Sequence, residues 1–191
     1  LFSQISLEAT IENNTSSFEA SKMMVYQTDN ETKYFDVNYE ENTITIYNEE
    51  YESIKVVDIP LETDYSLYSF NSVGGDVYTK PSIRNTIIAS KKLINDDENF
   101  EFCVASSGFD GENVLVQLLI FDEDGNILNT FSSDNVNLKY GRSFHFYHDE
   151  IAVQNKMILT LEDNSVRKFE IYSLPTSSTL SVDEINTLNR S

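Results

Sequence analysis

Asp122, Asp124 and Asn126 stand at alternate positions of the string DEDGN, and alternating oxygen ligands around a glycine are how an Asp-rich loop begins to enclose Ca²⁺. The match is incomplete. An EF-hand places its glycine after the third ligand and a bidentate acid about six residues later, whereas here Gly125 precedes Asn126 and the apolar run Ile127–Phe131 follows. A β-turn with Asp-Gly at positive φ accounts for the same residues, so calcium stands as the alternative and a plain hairpin turn as the expectation. Asp96, Asp97 and Glu98 form a similar acidic turn. His145 and His148 are the only histidines, and a three-residue separation in a strand points them to opposite faces, so joint metal ligation needs a turn between them.

No Gly-x-Ser-x-Gly elbow, phosphate-binding Walker loop, HExxH helix or paired-cysteine zinc pattern occurs. With acids this abundant, no two carboxylates single themselves out as a glycosidase pair. The expectation is therefore a chain without catalysis and without a resident cofactor. The tyrosines point to binding instead. Tyr47, Tyr51, Tyr68, Tyr78 and Tyr147, with Tyr65 and Tyr140, fall at strand ends or turns, where an aromatic face can stack on a sugar or form a protein-binding patch. Ordinary cross-strand packing is the competing use of each ring.

Thirty-two acidic against thirteen basic residues give a formal charge of -19, which repels phosphate backbones and anionic lipid heads. Nucleic acid is excluded as an expected partner. The single cysteine, Cys103, lies inside the apolar run Phe100–Ala105 and reads as a small buried hydrophobe. No run reaches the ~18 to 20 apolar residues of a membrane helix. The chain opens at Leu1 without Met, as an excised segment or one trimmed near a signal cleavage site would, so export is open, and Asn-x-Ser/Thr sites stand at Asn13, Asn14, Asn30 and Asn189.

The elements that position these residues read as strands. The aromatic content is all Tyr and Phe, with no Trp, and Thr, Ile and Val are frequent, which suits pleated surfaces. Ile5–Ile11 predicts a short strand. Met23–Gln27, Tyr34–Tyr39, Thr43–Tyr47 and Ile54–Ile59 then predict four, divided by acidic turns and closed by Pro60. A second unit runs through Tyr65–Val73, Thr86–Leu93, Phe100–Ser106, Val114–Phe121 and Ile127–Phe131; Val114–Phe121 is nearly unbroken in its apolarity, as a strand covered on both faces would be. Ser143–Tyr147, Ile151–Val153, Met157–Leu161 and Val166–Ser173 predict the third, with a turn at His148–Glu150. The expected fold is thus all-β: antiparallel meanders in three propeller-like units, about 18–60, 65–134 and 137–175, followed by a Ser/Thr-rich linker at 176–191. A compact or partial β-propeller and a β-sandwich both satisfy that pattern, since a closed propeller takes at least about four blades.

The strings KLINDDENFEFCVAS (Lys92–Ser106), LIFDEDGNIL (Leu119–Leu128) and FEIYSLP (Phe169–Pro175) resemble a recurrent pattern in secreted β-repeat proteins of Bacteroidota. There, similar repeats end at "YSLP" before a linker and a C-terminal sorting domain of the type IX secretion system. The resemblance spans about Thr32 to Pro175. It implies export to the cell surface or medium and no established reaction. The expectation is an exported surface module that binds protein or glycan; the alternative is a spacer or accessory domain beside a larger secreted enzyme or adhesin.

Overall fold

The computed structural model describes residues 7–12, 15–16, 21–67, 71–74, 85–91, 93–94, 98–109, 114–132, 138–149, 151, 154–163 and 166–174. Period-two alternation builds the first sheet, an antiparallel meander of β1 (Ser21–Gln27), β2 (Thr32–Asn38), β3 (Thr43–Tyr47) and β4 (Ser53–Asp58). Met24 and Tyr26, Phe35 and Val37, Ile44 and Ile46, and Val57 all point to one face and are buried. The other face carries Met23 and Val25, Tyr34 and Asp36, Thr43, Thr45 and Tyr47, and Val56, as strand alternation requires.

The second sheet comprises β5 (Tyr65–Leu67), β6 (Asn71–Gly74), β7 (Asn85–Ser90), β8 (Glu101–Phe109), β9 (Val114–Asp122) and β10 (Ile127–Phe131) in the order β10-β9-β8-β7-β6, with β5 also on β8. The third is the meander β11 (Leu138–Asp149), β12 (Gln154–Asp163) and β13 (Val166–Ser173). The second sheet lies between the other two. Phe102 and Val104 of β8 with Leu119 and Phe121 of β9 join the core of the first sheet. Their alternate neighbours, Cys103, Ala105, Leu118 and Ile120, join Phe146, Met157 and Leu159 of the third. A strand buried on both faces has no polar positions to alternate with, which is why β9 reads as a continuous apolar run. Gln117 through Phe121 are all buried.

Among the described residues no buried cluster joins the first sheet to the third, so the molecule is an open three-layered stack. That architecture is all-β and compatible with a propeller-like array or a sandwich. Charged links fix the first sheet on the second. Lys55 of β4 reaches Glu123 at 3.1 Å and Asp124 at 2.7 Å in the β9–β10 turn, and Lys91 beyond β7 reaches Glu31 at 2.8 Å in the β1–β2 turn.

Several local expectations change. Leu7–Ile11 is irregular rather than a strand; it has no ladder partner and is held by side chains instead. The run Tyr65–Val73 is two elements: β5 extends the edge of β8 past the end of β7, and β6 pairs with β7 in parallel. Gly108 permits the first of these pairings, because a Cβ there would stand 3.1 Å from the Tyr65 ring. The turn expected at His148–Glu150 lies further on, since β11 continues through Asp149, paired with Gln154. Tyr68, Tyr78, Asn13, Asn14, Asn189, Asp96, Asp97 and the linker at 176–191 lie outside the described residues.

Candidate ligand-binding face

The Asp122–Asn126 loop folds as a hydrogen-bonded turn. Asp122 Oδ1 accepts from the backbone N–H of Asp124 and of Asn126, both at 2.9 Å, and its Oδ2 accepts from the Asn126 amide at 2.9 Å. Asp124 is directed to Lys55, and Gly125 takes the positive φ of 81° that such a turn requires. Asp122 and Asn126 thus hydrogen-bond to each other within the turn, while Asp124 pairs with Lys55. Among the described residues no group of three or more His, Cys, Asp or Glu side chains is placed to hold a metal ion. The salt bridges to Asp124 and Glu123 raise the Lys55 pKa against the opposing effect of burial, the Asp124 hydrogen bond contributing most.

His145 stacks on Tyr147, ring centroids 5.9 Å apart, on the outer face of the third sheet; the side chain of His148 lies outside the described residues. Tyr147 is thus at the opposite end of the stack from Tyr47 and Tyr51.

Those two tyrosines come together with a third that sequence patterning passed over. The β2–β3 register pairs Tyr34 with Tyr47, and the β3–β4 turn carries Tyr51 back over the same face. The Tyr34 and Tyr51 rings lie 5.1 Å apart at a 37° tilt. Tyr51 has a φ of 66°, a left-handed conformation that costs a bulky residue of order 1 kcal/mol and is retained where the surroundings impose it. Here Asn48 imposes it: its Oδ1 accepts from the N–H of Glu50 and Glu52, and its backbone carbonyl accepts from the N–H of Tyr51.

A strap from Leu7 onward borders the site. The Tyr51 hydroxyl donates to Glu8 Oε2 at 2.9 Å, and the backbone N–H of Ser16 donates to Glu40 Oε2 at 2.9 Å at the opposite end of the sheet. Ala9 and Ile11 of the strap are half-buried. Leu7, Glu8, Ala9, Ile11, Met23, Tyr34 and Tyr51 line an open depression of about 500 Å³. Hydrogen bonding to Tyr34 and then to Glu8 raises the Tyr51 pKa well above the usual tyrosine value, so the phenol stays a neutral donor. Burial, and then the charge of Asp36, raises the Tyr47 pKa.

Comparison with protein-family models, with curated proteins and with solved structures returned no match. Function must therefore be read from this face. Of the seven tyrosines singled out by sequence, Tyr47 and Tyr51 belong to it, Tyr65 on the second sheet and Tyr147 on the third do not, and Tyr68 and Tyr78, with the side chain of Tyr140, lie outside the described residues. Tyr34 and Glu8 were missed. For Tyr34 a signal existed: the NYEEN turn fixes the β2–β3 register and thereby places it beside Tyr47. For Glu8 none did, because an irregular strap has no periodicity to read.

No helix among the described residues is long and apolar enough to cross a membrane.

Proposed function

We propose that the chain is an exported cell-surface binding module without catalysis, and that its ligand is a glycan held at the Tyr34–Tyr51 floor beside Glu8. The observation that carries this reading is the preset aromatic pair, with Tyr51 held in a costly backbone conformation and its hydroxyl fixed on a carboxylate. An aromatic face accepts the apolar C–H face of a sugar ring, and a neighbouring carboxylate accepts its hydroxyl protons. A shallow, open depression suits one or two sugar units at a chain end better than an enclosed small molecule. The formal charge of -19 disfavours anionic sugars, so the expected ligands are neutral or amino sugars. Export rests on the resemblance to secreted repeat chains.

Screening the 191-residue chain on a glycan array, followed by titration of any hit, tests the reading. Tyr51→Gly accommodates the positive φ, preserves the turn, and is expected to weaken binding at least about tenfold, since an aromatic–sugar stack of about 1.5 kcal/mol is removed. Tyr147→Ala, at the other end of the stack, is expected to leave binding unchanged. Absence of any glycan binding, or binding indifferent to Tyr51→Gly, refutes the reading and leaves the spacer role.

A further inference from the structure

The two ends of the stack differ. At one end the outer face of the first sheet is crossed by the chain's own strap, anchored at Glu8 and at Ser16. At the other end, the outer face of β11, β12 and β13 carries an apolar row with no such cover among the described residues. Met157 and Leu159 point inward, so register places Ile158 outward between His145 and Ile171, and Thr160 outward beside Phe169. Phe169 is 65% exposed and Ile171 64%.

Charge decides what can cover the free face. Residues 21–58, which contain the first sheet, hold nine acidic and three basic residues, whereas residues 138–173 hold five of each. The third sheet is the neutral end of a strongly acidic molecule. A second copy meets no net like charge there, while pairing at the first sheet would oppose two acidic surfaces. We infer that the outer face of β11–β12–β13 is a self-association surface, on which two copies pack sheet to sheet about a two-fold axis with the Ile158–Ile171 row and Phe169 at the centre. A two-fold contact uses the same patch twice and closes at two copies.

The face is small. Strands of twelve, ten and eight residues share a paired area of about 14 by 30 Å, or about 400 Å² from each copy, which is below the roughly 1,200 Å² total of ordinary specific interfaces and in the range of weak, transient ones. A reversible dimer populated only at high protein concentration follows.

Analytical ultracentrifugation of the whole chain from micromolar to near-millimolar concentration reads this directly. The expected result is a monomer–dimer equilibrium that strengthens at least severalfold on raising salt, because added salt screens the repulsion between two chains of charge -19. Ile171→Glu and Phe169→Glu, at exposed positions whose folding a thermal melt checks, are expected to abolish it, and Val56→Glu on the first sheet to leave it intact. A chain monomeric throughout overturns the inference. So does a dimer broken by Val56→Glu, or open-ended species larger than a dimer, since both would make the contact head-to-tail between unlike faces.

Discussion

Glu101 is 1% exposed, an unusual location for a carboxylate, and its use can be measured. It lies on β8 with the parity of Cys103 and Ala105, facing the third sheet, and its Oε2 accepts from the backbone N–H of Leu93 and of Ile94, both at 2.8 Å. Those bonds tie the segment after β7 into the second core, where the Leu93 and Ile94 side chains are buried. Glu101→Ala removes two charge-assisted hydrogen bonds, each worth about 1.5–3 kcal/mol, and strands two buried N–H groups. The expected loss is about 3–5 kcal/mol. For a chain of this length, at about 2–4 °C per kcal/mol, the melting temperature should fall by about 6–20 °C. Glu101→Gln keeps an acceptor oxygen without the charge and should fall between wild type and Glu101→Ala. Urea unfolding monitored by circular dichroism, with calorimetry alongside, gives both numbers. A Glu101→Ala loss under about 1 kcal/mol refutes the clamp. So does a double mutant with Leu93→Ala whose losses simply add, because a clamp on Leu93 requires the two to be coupled.

Two further outcomes follow from burial and charge. Burial pushes the Cys103 thiol well above its usual pKa; a thiol that ionises only when unfolded leaves stability unchanged below about pH 8.5 and lowers it as pH rises beyond that value. Denaturation midpoints at pH 7 and 9.5 should therefore separate for wild type and draw together for Cys103→Ala, and an aromatic disulfide reagent at pH 8 should titrate the thiol only after unfolding. Lys55 bridges β4 to Glu123 and Asp124 with a side chain 33% exposed, so Lys55→Met should cost less than about 1 kcal/mol, and that cost should vanish in 1 M salt. A larger, salt-independent loss would show that the stem of Lys55, not its charge, holds the sheets together.

The fold class was legible wherever alternation had one solvent face. Thr43–Tyr47 is a strand at its expected bounds because Ile44 and Ile46 meet the core while Thr43, Thr45 and Tyr47 do not. Val114–Phe121 was legible by the opposite sign, and its two neighbouring sheets supply the reason. Partner choice was not legible. Nothing local to Tyr65–Val73 distinguishes one strand from two, since the division is made by which edges of β7 and β8 stand open. The candidate face was half legible: Tyr47 and Tyr51 carry a turn signature, whereas Glu8 reaches Tyr51 across 43 residues of sequence, a contact created by the third dimension alone.

The Asp122–Asn126 turn that first suggested a metal site shares its construction with three other acidic turns. Thr28, Asn38, Asn48 and Asp122 each stand at or just past the end of a strand, and each side-chain oxygen accepts two backbone N–H groups of the turn that follows. Such a cap needs only one oxygen-bearing side chain, at the first turn position, and leaves the next two or three positions free of packing constraints. Those positions are where Asp29, Glu40, Glu41, Glu49, Glu50 and Asp124 lie. Six of the chain's thirty-two acidic residues thus sit at turn tips, where they cost little desolvation and leave the sheet faces free to stack. Three of these four caps lie on the first sheet and one on the second, whereas residues 138–173 carry five acidic and five basic residues.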